Sequence, residues 1–205
     1  MPDNPRYALQ DVSGKVEGLV ATQDIPKGTQ VIEERPIMTR PKRAPTGFSL
    51  RGQFNALNTQ QQQAFMSLKN VHPYKNADER DLGIFKTNGS SYASDDEGGL
   101  FIEACRINHA CDNNTSSNWN TNIQKHTIHT LRDIQEGEEI TIDYLGSRPL
   151  PREFRHQVLQ DKSRFLCSCN LCALPAAESR HTDREFMNIA GIMTLIPGTF
   201  MRYPL

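Results

Sequence analysis

Three thiols fall within six residues, in Phe165-Leu166-Cys167-Ser168-Cys169-Asn170-Leu171-Cys172. Such crowding is hard to explain by packing, whereas thiolates at this spacing are ready ligands for a tetrahedral metal such as zinc. A second stretch, Arg106-Ile107-Asn108-His109-Ala110-Cys111-Asp112-Asn113-Asn114, is dense in polar types. Alone it reads equally well as a turn whose side chains satisfy local backbone groups. A third, Gly137-Glu138-Glu139-Ile140-Thr141-Ile142-Asp143-Tyr144, is an apolar strand after a glycine turn, and alone its tyrosine is a core residue. The odd number of cysteines, five in all, points away from a disulfide framework.

The chain that positions these residues has 205 of them, enough for one good-sized core with a small appendage. Its net charge of −1 argues against a broad nucleic-acid grip, and no direct nucleic-acid binding is expected. No stretch approaches the roughly 20 apolar residues of a membrane span. Met1-Pro2-Asp3-Asn4-Pro5-Arg6 lacks the apolar core of a secretory signal. The expectation is an intracellular, reducing location, in nucleus or cytoplasm.

Short β-structure opens the chain. Gly18-Leu19-Val20-Ala21-Thr22 reads as a strand, Pro26-Lys27-Gly28 as a turn, and Val31-Ile32 as the next strand. Asp24-Ile25-Pro26-Lys27-Gly28 is echoed by Asp133-Ile134-Gln135-Glu136-Gly137, one hairpin solution used twice rather than a solenoid repeat. Ile140 to Tyr144 alternates as a strand should. Between these, residues 41–52 read as loop, and 59–68 as a helix with Thr59 as N-cap and Phe65, Met66 and Leu68 making apolar contacts. Asn88 to Gly99 reads as a loop with Asp95-Asp96-Glu97 solvated. Helices are expected over 151–161, with Pro151 in the first turn and Phe154 and Val158 on one face, and after Thr182, with Glu185 completing a capping box. The coarse class is mostly β with helical insertions, α+β.

Taken in order, the three stretches resemble the SET-domain family of protein lysine methyltransferases. Asn108-His109-Ala110-Cys111 is similar to its asparagine-histidine signature, Glu138 to Tyr144 to the signature ending in the catalytic tyrosine, and Cys167-x-Cys169-x-x-Cys172 to the post-SET zinc segment. Gly83-Ile84-Phe85-Lys86-Thr87-Asn88 and Gly98-Gly99-Leu100-Phe101 resemble the fungal, SMYD-like branch, here without the MYND insert. The resemblance implies a β-clip pseudoknot. It divides the chain into a SET domain at 1–148 (with 53–100 as a helical and loop insert), a post-SET helix and zinc segment at 149–175, and a C-terminal helix and tail at 176–205.

The same resemblance implies S-adenosylmethionine-dependent methylation of a lysine in a protein substrate, histone or non-histone. Tyr144 is then the catalytic tyrosine. Cofactor contacts fall on Glu17, Gly18, Leu19, Asn88, Asn108 and His109, with Phe165 stacking on adenine. The zinc ligands are Cys111, Cys167, Cys169 and Cys172, leaving Cys105 as a small buried hydrophobe. The opening loop reads Val16-Glu17-Gly18 where the family has Gly-x-Gly, and the chain ends at Leu205 after one helix where SMYD relatives carry a longer helical domain, so the expected groove is more open or shaped by a partner. Ile142 stands where an aromatic often limits the number of methyl groups. The competing expectation is a SET scaffold without activity that serves as a protein-binding module.

Overall fold

The computed structural model describes residues 6–15, 17–41, 43–92, 94–146 and 149–195, and the side chains of 91–96 and 190–195 lie outside this description. Val16 is therefore outside the described residues, as are the side chains of Asp95 and Asp96. Two compact units result: Met1–Asn108 with Asn113–Ile142, and His109–Asp112 with Asp143–Leu205.

In the first unit, β1 (Tyr7–Gln10) pairs antiparallel with β2 (Gly18–Ala21), in register from Tyr7 opposite Ala21 to Gln10 opposite Gly18. β3 (Gln30–Glu34), which also belongs to this unit, lies at the edge of a sheet in the order β3-β9-β8, with β8 at Thr115–Asn120 and β9 at Lys125–Thr130. A second sheet has the order β4-β6-β5, from Met38–Pro41, Ser94–Leu100 and Ser90–Tyr92. The expected loop at 88–99 is thus strand for most of its length. Its backbone groups find partners on β4 and β5, and that non-local pairing outweighs the turn-forming tendency of Gly, Ser and Asp.

The two echoed phrases are each other's partners. Ile25 and Ile134 exchange both backbone hydrogen bonds, at 2.8 and 2.9 Å. Asp24 accepts the Glu136 N–H at 2.9 Å while Asp133 accepts the Lys27 N–H at 2.8 Å. Gly28 and Gly137 close the two turns at φ of 79° and 82°, a region that suits glycine. Leu19, Ala21, Ile25, Ile32, Ile128, Ile134 and Ile140 gather there as one core.

A second core in this unit forms where α1 (Arg51–Ala56), α2 (Thr59–Met66) and α3 (Ala77–Asn88) meet β4 and β6, around Met38, Leu50, Phe65, Ile84, Phe85 and Leu100. The cap of α2 is Asn58, not Thr59. Its side chain accepts the Gln61 N–H while Gln61 reaches back to the Asn58 N–H. Cys105 packs partly buried against this core, and desolvation there pushes its thiol up to about 12. Its expected role as a small hydrophobe agrees with that surrounding.

The second unit holds α4 (Arg152–Ser163), α5 (Asn170–Ala173) and α6 (Ala176–Leu195). Pro151 is the N-cap of α4, one position before the expected first turn. Arg155 and Leu159 face inward, Val158 is partly buried, and Phe154 is exposed. α6 runs through the expected cap at Thr182, whose hydroxyl donates to the Glu178 carbonyl one turn back. A Thr-x-x-Glu phrase within an uninterrupted helical run has its N–H groups already satisfied, so it caps nothing. β7 (Asn108–His109) carries the chain from the first unit into the second, and β10 is only Thr141–Ile142 instead of the expected 140–144. The described chain mixes strands and helices rather than being mostly β, because the middle and the C-terminal third are helical.

Candidate functional site

The sequence-expected residues of the first unit collect around Gly18. β2 places Gly18 beneath two side chains, and a Cβ there would sit 2.6 Å from Asn108 Nδ2 and 2.8 Å from Glu139 Oε1. Asn108 donates one amide hydrogen to the Glu17 carbonyl and the other to Glu139 Oε1, both at 2.8 Å. Lys15 reaches the other oxygen of Glu139 at 2.6 Å, and Arg106 lies 3.8 Å from the Glu17 carboxylate. Leu19 turns its side chain into the core and gives its carbonyl to the Ile140 N–H at 2.7 Å. Glu139 was not among the sequence-expected residues. A glutamate in a Glu-Glu pair ahead of a strand carries no sign of a buried partner.

Asn114 is a second polar anchor outside the expected set. Wholly buried, it donates to the Glu139 carbonyl at 2.8 Å and to Glu138 at 3.1 Å, and accepts the Thr141 N–H at 2.8 Å. Satisfying a buried amide in this way fixes the course of the chain from Glu138 to Thr141. Asn88 ends α3, and both its amide hydrogens go to backbone carbonyls, of Lys69 and Ile84, at 2.7 Å each.

The second unit assembles the remaining residues. α5 puts Cys169 and Cys172 one helical turn apart, and the sulfurs of Cys111, Cys167, Cys169 and Cys172 all lie within 4.8 Å of one another. Cys111 Sγ is 3.5 Å from Cys172 and 3.9 Å from Cys167. Four thiolates about 2.3 Å from a tetrahedral zinc would stand ~3.8 Å apart, so the donor set and its spacing fit that ion. Hydrogen bonding among the sulfurs pushes the Cys111 thiol up and the Cys167 thiol down. The buried Arg155 guanidinium sits 3.8 Å from Cys172 Sγ, donates to the Leu150 carbonyl at 2.6 Å, and lies over the Phe186 ring.

Against the thiols stands an aromatic group. The His109 ring centroid is 5.3 Å from that of Tyr144 and 6.2 Å from that of Phe165, and the Tyr144 and Phe165 rings meet edge to face at 6.5 Å. Arg164, in the left-handed conformation at φ 60°, ends α4 and turns the chain so that Phe165 joins them. His109 accepts the Tyr144 N–H at Nδ1, 3.0 Å away, and its Nε2 lies 3.2 Å from Cys111 Sγ. Tyr144 is partly exposed, so a substrate can reach this group.

A family model described as the SET domain matches residues 17–145. Among curated proteins, the histone-lysine N-methyltransferase set5 of Schizosaccharomyces pombe is 29% identical over 85% of this chain and 52% of its own length. The protein-lysine N-trimethyltransferase SMYD5 of Homo sapiens is 36% identical over 42% of this chain and 21% of its own length. The histone-lysine N-methyltransferase SMYD3 of Homo sapiens is 38% identical over 36% of this chain and 17% of its length. The chain thus spans about half the length of set5 and a smaller share of the other two.

Proposed function

The chain belongs to the SET-domain family, and from that premise we propose that it methylates a lysine side chain of a protein with S-adenosylmethionine as donor. The observation that supports this most is the aromatic group of His109, Tyr144 and Phe165 beside four gathered thiols. The cofactor supplies an electrophilic methyl group on a sulfonium. Tyr144 orients the incoming amine with its hydroxyl, so that attack is in line. A free lysine is protonated at neutral pH, with a pKa of about 10.4, and its desolvation against the Tyr144 ring beside a cationic sulfonium favours its neutral, nucleophilic form. Phe165 offers a face for adenine.

In this reading Glu17, Gly18 and Leu19 present backbone to the cofactor, with Asn88, Asn108 and His109 completing its surroundings. The Asn108 side chain serves by holding the Glu17 carbonyl and Glu139, since its amide hydrogens are committed to them. Cys111, Cys167, Cys169 and Cys172 hold zinc in a post-SET segment. We extend the reading to the family pseudoknot, to a SET domain at 1–148 followed by segments at 149–175 and 176–205, and to a SMYD-like branch without a MYND insert. The substrate is a histone or non-histone protein of nucleus or cytoplasm. Among the described residues no helix is long and apolar enough to cross a membrane.

The test is calorimetric titration of zinc-loaded protein with S-adenosylmethionine, alongside Asn108→Ala, followed by a proteome-wide screen with labelled methyl donor. Micromolar binding that the variant loses, with label entering protein lysines, is the expected result. Well-folded protein that binds no cofactor would overturn the enzymatic reading and leave a protein-binding scaffold.

A further inference from the structure

Asn108 has little strand to hold it. β7 is two residues long, yet the Asn108 amide meets the Glu17 carbonyl and Glu139 at 2.8 Å each, over a Gly18 with no room for a Cβ. The segment before it is a tight 3₁₀ turn at Ala104–Arg106. The Arg106 N–H closes it on the Glu103 carbonyl at 3.0 Å, and the Ile107 N–H on the Ala104 carbonyl at 3.1 Å. Three residues per turn give this segment three faces. Phe101, Ala104 and Ile107 enter the first core, while Ile102 and Cys105 pack against the second. Glu103 and Arg106 are left for polar partners, the Tyr7 and Ser67 hydroxyls.

The leading N–H groups of such a turn have no acceptor within it. Glu103 stands at the cap position, but its carboxylate is spent on the Tyr7 hydroxyl. Glu34, at the end of β3 and 70 residues before Ala104, supplies the cap instead. Its Oε1 accepts the Ala104 N–H at 2.6 Å and its Oε2 the Glu103 N–H at 3.2 Å. Pairing of β3 with β9 sets Glu34 opposite His126, so the cap is anchored in a sheet rather than in the turn itself.

We infer that Glu34 is a positioning residue for Asn108: its carboxylate pins the 3₁₀ turn to β3 and so sets where the Asn108 amide meets the Glu17 carbonyl. The inference rests on the methyl-transfer reading above, in which the Glu17 backbone faces the cofactor. A carboxylate that accepts two backbone N–H groups is a stronger hold than a neutral cap. Without it both N–H groups lose their partner, and the turn moves to satisfy them. No glycine lies between Ala104 and Asn108 to absorb that movement. The close fit over Gly18 leaves the Asn108 amide no alternative seat.

Two variants grade the cap. Glu34→Gln keeps the reach and one acceptor oxygen, and Glu34→Met keeps the reach with no acceptor. In the ¹⁵N-labelled full chain the side-chain amide of Asn108 reports directly, as the pair of signals missing from both Asn108→Ala and Asn108→Asp. Spectra are taken at about pH 8, above the value of about 7 to which burial pushes Glu34, so that the parent carboxylate is ionised. Both hydrogens of the parent pair are bonded and should exchange slowly. Exchange should quicken about threefold in Glu34→Gln and about tenfold or more in Glu34→Met, with S-adenosylmethionine affinity in calorimetric titration falling by similar factors. If Glu34→Met does not fold, Glu34→Gln decides by the same two signals. A lower unfolding midpoint with the Asn108 pair and the affinity both at parent values would overturn the inference, because a cap that only stabilises the fold does no more than that. A parent chain that binds no S-adenosylmethionine, while its Asn108 pair still follows Glu34, would keep the placement of Asn108 and overturn the methyl-transfer reading instead.

Discussion

His109 holds Tyr144 by the main chain, through the 3.0 Å bond from the Tyr144 N–H to Nδ1, and not through the phenol. The position of the tyrosine and the chemistry of its hydroxyl are thus separable. Tyr144→Phe keeps the amide, the ring and the edge-to-face contact with Phe165. It is expected to lower methyl transfer about a hundredfold or more, as loss of a positioned hydroxyl at a reacting centre does. Cofactor affinity and melting temperature should be nearly unchanged. A variant that retains most of its kcat in single-turnover assays would remove Tyr144 from the chemistry.

Gly18 has a steric reason to be glycine. Its added Cβ would meet the Asn108 amide and the Glu139 carboxylate at distances that require one of them to move. Both are already committed, Asn108 to the Glu17 carbonyl and Glu139 to Lys15. Gly18→Ala is expected to cost about 1–3 kcal/mol in denaturant unfolding and to weaken S-adenosylmethionine binding beyond that loss, because it shifts the Glu17 backbone. Unchanged affinity in a folded variant would show that this loop does not face the cofactor.

What the sequence disclosed was chiefly residue type at short spacing. Cys167, Cys169 and Cys172 declared themselves by crowding, and Cys111 joined them only through the resemblance to the SET family. The repeat at Asp24 and Asp133 was visible, but local turn chemistry cannot say that Ile25 and Ile134 pair with each other. The same limit hid β6, whose Gly, Ser and Asp residues become strand only because β4 and β5 flank them. Thr182 shows the converse error, a cap phrase overridden by a helix already propagating. Glu139 and Asn114 gave no signal, since their roles lie in partners far along the chain.

Two buried groups give the first unit opposed responses to pH. Burial pushes His126 down to about 4, so it stays uncharged in the folded protein while the unfolded chain takes up a proton near pH 6.5. Its contribution is present above that value and is lost as pH falls toward about 4. Burial pushes Glu34 up to about 7, against N–H donors from Ala104 and Glu103. Its contribution is present below the unfolded value of about 4.3 and is lost as pH rises through about 7. Each is worth on the order of 3 kcal/mol across this window. The two stand opposite each other on β3 and β9, and their opposed slopes are expected to offset each other in the parent chain. His126→Gln should melt progressively higher at the acid end relative to neutral pH, and Glu34→Gln progressively lower. Variants whose melting profiles tilt the same way would refute the assignment.

Arg155 is a buried cation beside the thiols, and a zinc ion with four thiolates carries a net negative charge that such a cation offsets. Its guanidinium also ties the cluster to helices on both sides, through the Leu150 carbonyl before α4, and through Asp183 at 3.6 Å and the Phe186 ring on α6. Lysine matches the charge but not the fork, and methionine matches only the bulk. Arg155→Lys should lower zinc affinity about tenfold and Arg155→Met closer to a hundredfold, the range expected when a partner of a metal ligand is removed. Competition with a chromophoric chelator reads the affinity directly. Because metal binding and folding are coupled, amides from Phe165 to Ala173 should exchange faster in step with the lost affinity, and those of β2 and β9 should not. Equal zinc affinity in all three proteins would mean that Arg155 serves the helices alone.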